Sequence, residues 1–493
     1  MPESPISNTA FLLWSAAARY GERPAIVERG ATVTYAELRN HAAAIATALR
    51  SAGVAPRDRV AVWLERGWEA AAAYFGALAA GAVVVVINET LRPRQVEHIL
   101  SHSGAGHLVT TPDLLARQPR ALSTRARVLD VSAMAATGSF DQMAGCGSHP
   151  AQLVYTSGST GLPKGVVVSH ANLRAVSDAV VSYLSLVSDD RIASLLPFSF
   201  VYGIGQLLCA VGSGAALVVE RSALPQQMVE TVRQENVTVL AAVPPLWTRL
   251  LRMPSFADGP LPSLRVTTNA GGHLPRGVVQ AVRRAQPGSR LFLMYGLTEA
   301  IRCTYLPPEE LDRRPNSIGR AIPGGEIRVL RDDGSEAAPG EVGELVYRGP
   351  TVTLGYWNDP ELTARVFRSD AQGRRAVFSG DLVRRDEEGF LYFVGRRDRV
   401  IKTMGYRVGP DEIASVLYES GQVVDAVVLG EPDPERGERI VAHVVLTADG
   451  SLDRLRAYCG TELPRHLQPA RLVIRDVLPL LPTGKHDMQA LRV

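Results

Sequence analysis

From the N-terminus to about residue 395, segments with helical apolar spacing alternate with short β-branched runs. The helical patterns include Tyr35–Ala52, Ala171–Leu184 and Pro225–Glu235, and the β-branched runs include Arg59–Trp63, Ala215–Val219 and Val237–Val243. Strands joined through helices become parallel neighbours, because a tight turn can connect only antiparallel ones. The alternation therefore confines this stretch to α/β layers, with two parallel-type sheets expected. Between Ile318 and Tyr392 the texture changes to short strands separated by Asp332-Asp333-Gly334, Pro339-Gly340 and Glu387-Glu388-Gly389, which predicts hairpins and a β-rich subdomain. After Gly395 the charged break Arg396-Arg397-Asp398-Arg399 opens a final stretch read as strand, helix, strand, strand, helix. The expected organisation is a large domain over 1–395 and a small α+β domain over 396–493.

At 493 residues the chain is long enough for more than one core, and 46% apolar with 21% charged residues is a globular composition. A formal net charge of +3 creates no field that would select nucleic acid or an anionic membrane. Cys146, Cys209, Cys303 and Cys459 are far apart and form no C-x-x-C pair, so neither a zinc site nor a disulfide framework is expected. A reducing cytoplasm is the expected compartment, since Met1-Pro-Glu-Ser-Pro has no basic leader and Phe11–Trp14 is too short for a signal core. Ala70–Ile87 is uncharged and approaches the length of a spanning helix, yet it divides into an Ala-rich helix ending near Gly81 and a Val-rich strand. That is how a buried helix-strand unit reads, so no membrane span is expected.

One loop carries chemistry. Thr156-Ser157-Gly158-Ser159-Thr160-Gly-Leu-Pro-Lys164-Gly165 lies between the apolar runs Leu153–Tyr155 and Val166–Val168. Its glycines permit a tight turn with N–H groups facing an anion, its hydroxyls add donors, and Lys164 adds a point charge. The spacing is not that of the P-loop NTPases, which would need glycine at Pro163 and a hydroxyl residue at Gly165. The plain alternative is an exposed Gly/Ser linker.

Together with this loop, five further strings occur in order: Met294-Tyr-Gly-Leu-Thr-Glu299; Gly343-Glu-Leu-Val-Tyr-Arg-Gly349 with Gly355-Tyr-Trp-Asn358; Phe378-Ser-Gly-Asp381; Gly395-Arg-Arg-Asp398 leading into Ile401–Val408; and Pro482-Thr-Gly-Lys485. The set resembles the adenylate-forming superfamily of acyl-CoA synthetases, aryl-CoA ligases, luciferases and adenylation domains. The resemblance implies an acyl-CoA synthetase-like fold with a swinging C-terminal domain hinged near Asp398. It implies an AMP-forming ligase that activates a small carboxylic acid with Mg-ATP, releases pyrophosphate and passes the acyl group to a thiol. The nucleotide would lie against Thr156, Ser157, Gly158, Ser159, Thr160, Lys164, Ala270, Gly271, Gly272, Tyr295, Gly296, Thr298, Asp381 and Arg396. Tyr295 offers an aromatic face to adenine, Thr298 a hydroxyl to the α-phosphate, Asp381 a carboxylate to the ribose, and Glu299 an oxygen ligand for Mg²⁺.

By the same resemblance Lys485 bridges acid and phosphate during adenylation, and Lys402 reaches the site after rotation for thioester formation. His486 departs from the family pattern, which commonly has an aliphatic residue there; a local packing change is the expected result.

The acyl pocket is expected around Phe200, Val201, Tyr202, Gly203, Gly272, His273 and Arg302. Val201 stands where adenylation domains for α-amino acids usually have an aspartate for the substrate ammonium, which favours an acid without a free α-amino group. His273 can meet substrate or serve structure; Arg302 can face a second carboxylate or hydroxyl, or pair with a neighbouring acid. No carrier domain follows Val493, so the acceptor is expected in trans, either CoA or the phosphopantetheine of a separate carrier protein. The alternatives are a stand-alone enzyme that loads an amino acid such as proline onto a carrier, a luciferase-like oxygenase, and a non-catalytic nucleotide binder. Amino-acid-dependent exchange, oxygen consumption, and ATP binding without turnover would mark these in turn.

Overall fold

The computed structural model describes residues 8–492 except 119–120, 135–139, 141–145, 158–162, 370–372, 398–400, 404–405, 435–436, 466 and 482–485. For Ser157, Lys402, Tyr406, Arg407 and Glu412 it describes the backbone alone. The expected hinge residue Asp398, the loop residues Gly158, Ser159 and Thr160, and Lys485 therefore lie outside the described residues.

The described strands form three sheets. In the first, Pro24–Glu28, Ala216–Val219, Arg191–Ser194, Val239–Ala242, Val266–Asn269 and Arg290–Tyr295 are parallel neighbours in that spatial order. Arg290–Tyr295 pairs antiparallel with Thr304–Leu306, which pairs in turn with Ser317–Ala321. From Ser317–Ala321 the hydrogen bonding continues to Leu391–Arg396, Arg375–Arg385, Val342–Arg348 and Glu326–Leu330. The β-rich stretch read from its turns is thus present, but it extends the first sheet rather than forming a separate layer. The turns Gly334, Gly340 and Gly389 all have φ between 83° and 87°, a region that a side chain would make costly.

The second sheet orders Gly355–Tyr356, Pro163–Ser169, Pro150–Ser157, Val83–Val86, Arg59–Val62, His107–Thr110 and Arg127–Asp130. Every residue of Val83–Val86 is buried, in keeping with its unbroken valine run. The preceding helix, Trp68–Ala79, is rich in alanine and packs against Tyr35–Ser51. Gly76 makes that approach possible, since a Cβ there would lie 2.6 Å from the carbonyl oxygen of Ala42. The partner helix starts at a capping box in which Thr34 and Glu37 satisfy each other's backbone N–H groups. No helix among the described residues is long and apolar enough to cross a membrane.

The third sheet lies in the last part of the chain: the hairpin Ile401–Thr403 and Tyr406–Val408, then Gly437–Leu446, Val423–Asp433 and Arg471–Ile474. Helices Pro410–Glu419 and Leu452–Glu462 cover its core. This corrects the expected order in two places, because the opening strand is a hairpin and a further strand follows the last helix. Arg471–Ile474 escapes detection because it has four residues, none fully buried, and no alternating pattern. The first helix of this part packs against Leu391–Arg396 and Arg276–Ala285. At that contact a Cβ on Gly409 would lie 1.9 Å from the carbonyl oxygen of Val394.

Candidate active site

The Gly-rich loop joins two antiparallel strands, Pro150–Ser157 and Pro163–Ser169, in a register that sets Thr156 opposite Lys164 and Ser157 opposite Pro163. A hairpin of this kind holds both ends of the loop. Its outgoing strand is fixed from the other side by residues 353–357. The Leu354 N–H donates to the Val167 carbonyl at 2.8 Å and the Trp357 N–H to the Gly165 carbonyl at 2.7 Å. The same segment reaches Glu299, whose backbone carbonyl accepts both the N–H and the hydroxyl of Thr353 at 2.9 Å. The Tyr356 hydroxyl donates to the Glu299 carboxylate. Burial first, and the Glu299 charge second, push the Tyr356 phenol well above its ordinary pKa, so it remains a donor. Sequence reasoning assigned no role to Tyr356, although it lies in the quoted Gly355-Tyr-Trp-Asn358 string.

A second carboxylate is organised in a similar way. Asp381 and Arg396 face each other across the pair Arg375–Arg385 and Leu391–Arg396, with Nη1 2.9 Å from Oδ1. The Tyr295 hydroxyl donates to the other oxygen, Oδ2. Burial, then the Asp381 charge, hold the Tyr295 phenol well above its ordinary range. Asp381 is buried whereas Arg396 is 39% exposed, so the guanidinium is the part of this pair open to solvent. Tyr295 thus anchors Asp381 through its hydroxyl, in addition to any use of its ring.

The turn from Tyr295 to Arg302 is tight. A Cβ at Gly296 would lie 2.6 Å from the Ile301 carbonyl oxygen. The Arg302 N–H donates to the Ala300 carbonyl at 2.5 Å, and Ile301 between them has φ of 51°, a rare value for a β-branched residue. Thr298 and Glu299 are half-buried along this turn.

Ala270, Gly271 and Gly272 follow the strand Val266–Asn269; Ala270 is buried and both glycines are exposed. The Asn269 amide donates to the Gly272 carbonyl at 3.0 Å, and Gly271 has φ of 81°. The expected acyl-pocket residues lie at the start of helix Val201–Ser213, with Phe200 as its N-cap. Gly203 lies against the 197 turn, where a Cβ would meet the Pro197 carbonyl oxygen at 1.9 Å. Tyr202 crosses to the strand before Ala270, its hydroxyl 3.0 Å from the Thr268 carbonyl and 2.6 Å from the Thr268 hydroxyl. Phe198 is core, whereas Phe200 and Val201 are half-buried. Arg302 is buried with its guanidinium carbon 5.2 Å from the centre of the Tyr202 ring. His273 is half-buried by surface but closely surrounded, and burial pushes its imidazole down to about 4. Its Nε2 lies 3.4 Å from the Ser415 hydroxyl in the C-terminal part. Lys402 lies on Ile401–Thr403 with its backbone paired to Arg407.

The fold therefore brings Glu299, Tyr356 and the hairpin that carries the Gly-rich loop into one bonded unit, and Tyr295, Asp381 and Arg396 into another. Tyr295, at the start of the turn, and Glu299, within it, connect these units.

The chain matches the AMP-binding enzyme family over residues 13–357 and the AMP-binding enzyme C-terminal domain over residues 412–485. A linear gramicidin synthase polypeptide of Brevibacillus parabrevis is 31% identical over 476 residues. That alignment takes in 95% of this chain but only 6% of the synthase, so the chain spans a small fraction of that relative's length. Feruloyl-CoA synthase of an Amycolatopsis species is 33% identical over 473 residues, covering 94% of both proteins. The solved o-succinylbenzoate coenzyme A synthetase of Bacillus subtilis in complex with ATP and magnesium ion superposes with a TM-score of 0.85. It is 27% identical over 96% of this chain and 98% of that one. With the family matched over most of its length and the same fold in a solved relative, the chain belongs to the AMP-binding enzymes of the adenylate-forming superfamily, whose members include AMP-forming acid–thiol ligases.

Proposed function

We propose that this enzyme adenylates a carboxylic acid without a free α-amino group and transfers the acyl group to coenzyme A. In the first step a carboxylate oxygen attacks the α-phosphorus of ATP and pyrophosphate leaves. In the second a thiolate attacks the acyl carbonyl and AMP leaves. The observation that carries the reading is the placing of two carboxylates, Glu299 and Asp381, each held by the hydroxyl of a half-buried tyrosine, with Glu299 and the Asp381 partner Tyr295 on the same turn. Fixed donors and acceptors of this kind lower a barrier without reorganising during the reaction.

In this reading Asp381 and Arg396 receive the ribose. Thr156, Ser157, Gly158, Ser159, Thr160 and Lys164 surround the phosphates, with Ala270, Gly271, Gly272, Tyr295 and Gly296 along the base and Thr298 at the α-phosphate. Glu299 suits Mg²⁺, because a single oriented carboxylate together with phosphate oxygens is its usual environment; the metal supplies charge neutralisation on the phosphates. Lys485 balances charge during adenylation. Residues 396–493 then rotate about Asp398 as a separate domain and present Lys402 for thioester formation.

The absence of an acidic side chain from Phe200–Gly203 supports a non-amino acid, since a substrate ammonium there would have no partner. The name of the feruloyl-CoA synthase supports coenzyme A as acceptor. A second reading, transfer to the phosphopantetheine of a carrier protein, is favoured by the similarity to the gramicidin synthase.

Acid-dependent ATP–pyrophosphate exchange across fatty, aryl, hydroxy and amino acids, followed by coenzyme A addition, tests the proposal. Exchange with a non-amino acid and release of its acyl-CoA is expected. Exchange confined to an amino acid overturns the acid class, and exchange without acyl-CoA release overturns the acceptor.

A further inference from the structure

Arg302 is 6% exposed, and no hydrogen bond or ion pair engages its guanidinium among the described residues. Its Nε is buried without a partner. An arginine remains charged under any condition in which the fold survives, and an unpaired buried charge is among the most costly features a protein can carry. Among the described residues its guanidinium lies over the Tyr202 ring, and a cation over an aromatic face offsets only part of that cost. The other two buried arginines among the described residues are engaged: Arg314 by Glu310, Asp386 and Glu388, and Arg66 by the Glu89 carboxylate at 3.5 Å and the Glu220 carbonyl. The chain thus neutralises a buried guanidinium where the role is structural, and leaves Arg302 without a counter-ion.

No ion pair reaches Arg302 among the described residues, although the charge of Asp178 acts on Cys209 and those of Asp381 and Glu299 act on Cys303. The Arg302 charge acts on Tyr183, Tyr202, Cys209 and Cys303, yet burial dominates at all four. Tyr202 and Cys209 are each pushed up to about 12, and Tyr183 and Cys303 are also raised, so all four are neutral near pH 7. Tyr183 is itself committed, its hydroxyl donating to the Met294 sulfur at 2.9 Å and its ring stacked on Tyr305 at 4.3 Å. The four side chains that feel the Arg302 charge are therefore aromatic or thiol groups in their neutral form. Arg302 belongs to the turn that carries Thr298 and Glu299, and Tyr202 bonds the strand leading to Ala270–Gly272. Both elements border the proposed acyl pocket.

We infer that Arg302 anchors the substrate by receiving a second carboxylate at the end of the acyl group remote from the one that is activated, so that the enzyme's acid is a dicarboxylate. This rests on the adenylating reading above. The planar fork of a guanidinium matches a carboxylate with two parallel hydrogen bonds, and in a site of low polarity such a pair is strong and directional. An α-amino acid without a second acidic group would bring an ammonium into a site already holding an unpaired cation.

The test compares stable mimics of the acyl adenylate, since these report binding without turnover. Succinyl, glutaryl and adipyl sulfamoyladenosine are set against butanoyl, pentanoyl and hexanoyl sulfamoyladenosine by calorimetry on the full-length enzyme. In at least one matched pair the carboxyl-terminated compound is expected to bind about ten- to hundredfold more tightly. Arg302→Met is expected to remove the difference and Arg302→Lys to retain part of it. Tight binding of both members of every pair, without preference, overturns the dicarboxylate assignment and leaves the adenylating reading standing. Binding of neither overturns both. A preference that survives Arg302→Met overturns the role of Arg302. The comparison on the unaltered chain needs no variant, so a misfolded Arg302→Met protein would not obscure the answer.

Discussion

Tyr295 donates its hydroxyl to the carboxylate of Asp381 while Arg396 pairs with the other oxygen of that carboxylate at 2.9 Å, so one buried acid is held by two groups distant in sequence. Tyr295→Phe removes one donor and leaves the ring in place. The Michaelis constant for ATP is expected to rise roughly ten- to hundredfold, the range for losing a hydrogen bond to a charged group. Initial-rate kinetics with ATP varied checks this, and an unchanged constant would show that Asp381 needs no help from Tyr295.

Tyr356→Phe releases the Glu299 carboxylate from its phenolic donor. The magnesium concentration needed for half-maximal pyrophosphate exchange is expected to increase, with a smaller effect at saturating metal, because the ligand is still present but no longer oriented. A magnesium titration of both proteins decides it; superimposable curves would count against Glu299 as a metal ligand.

His170 is buried, and its Nδ1 accepts the Thr9 N–H at 3.0 Å. Burial first, then His149, push its imidazole down to about 4 from the usual 6.5. With the folded value depressed, protons bind preferentially to the unfolded chain between these two pH values. This stability is therefore complete above about pH 6.5 and is lost as the pH falls toward 4, by up to about 3 kcal/mol. His170→Asn keeps an acceptor and removes the titration, so its melting temperature should fall less steeply over that window. Parallel curves for the two proteins would refute the assignment.

Arg314 is buried among Glu310, Asp386 and Glu388, with its guanidinium carbon 4.0 Å from the centre of the Phe390 ring. Arg283 instead pairs with Asp312 at the surface. Arg314→Met removes the cation that Glu310 and Asp386 share and leaves Glu388 to Arg313, and should lower the melting temperature by several degrees, whereas Arg283→Met should barely move it. Equal losses in a thermal melt would mean that burial adds nothing to the cluster.

Gly409 leaves no room for a side chain beside the Val394 carbonyl. Gly409→Ala is expected to push helix Pro410–Glu419 off the strand Leu391–Arg396, raising amide exchange in that strand and changing the two half-reactions unequally. Exchange that matches the unaltered protein would show that the contact yields without cost.

Features set by local pattern were legible in the sequence. The valine run Val83–Val86 and the amphipathic helix Pro225–Gln234 fall where their periodicity puts them, within a residue. The site was legible as a set of strings but not as a geometry. Tyr295 meets Asp381 across 86 positions and Tyr356 meets Glu299 across 57, and no periodicity connects residues so far apart. Arg302 stood out by type, but its lack of a counter-ion depends on what the helices His170–Leu184 and Val201–Ser213 bring around it. The strand Arg471–Ile474 was missed because its pairing with Gly437–Leu446, rather than its composition, makes it a strand.

The segment 353–357 pairs with the Gly-rich-loop hairpin of the second sheet and also bonds to Glu299, which follows the last parallel strand of the first. It acts as a gauge block between two independently built layers, setting the gap between the loop hairpin and Glu299, a gap that in the proposed reading holds the triphosphate and its metal. A chimera that took the loop hairpin from one relative and residues 353–357 from another would therefore mismatch that gap even with every site residue retained. The two stretches, far apart in the chain, have to be inherited together.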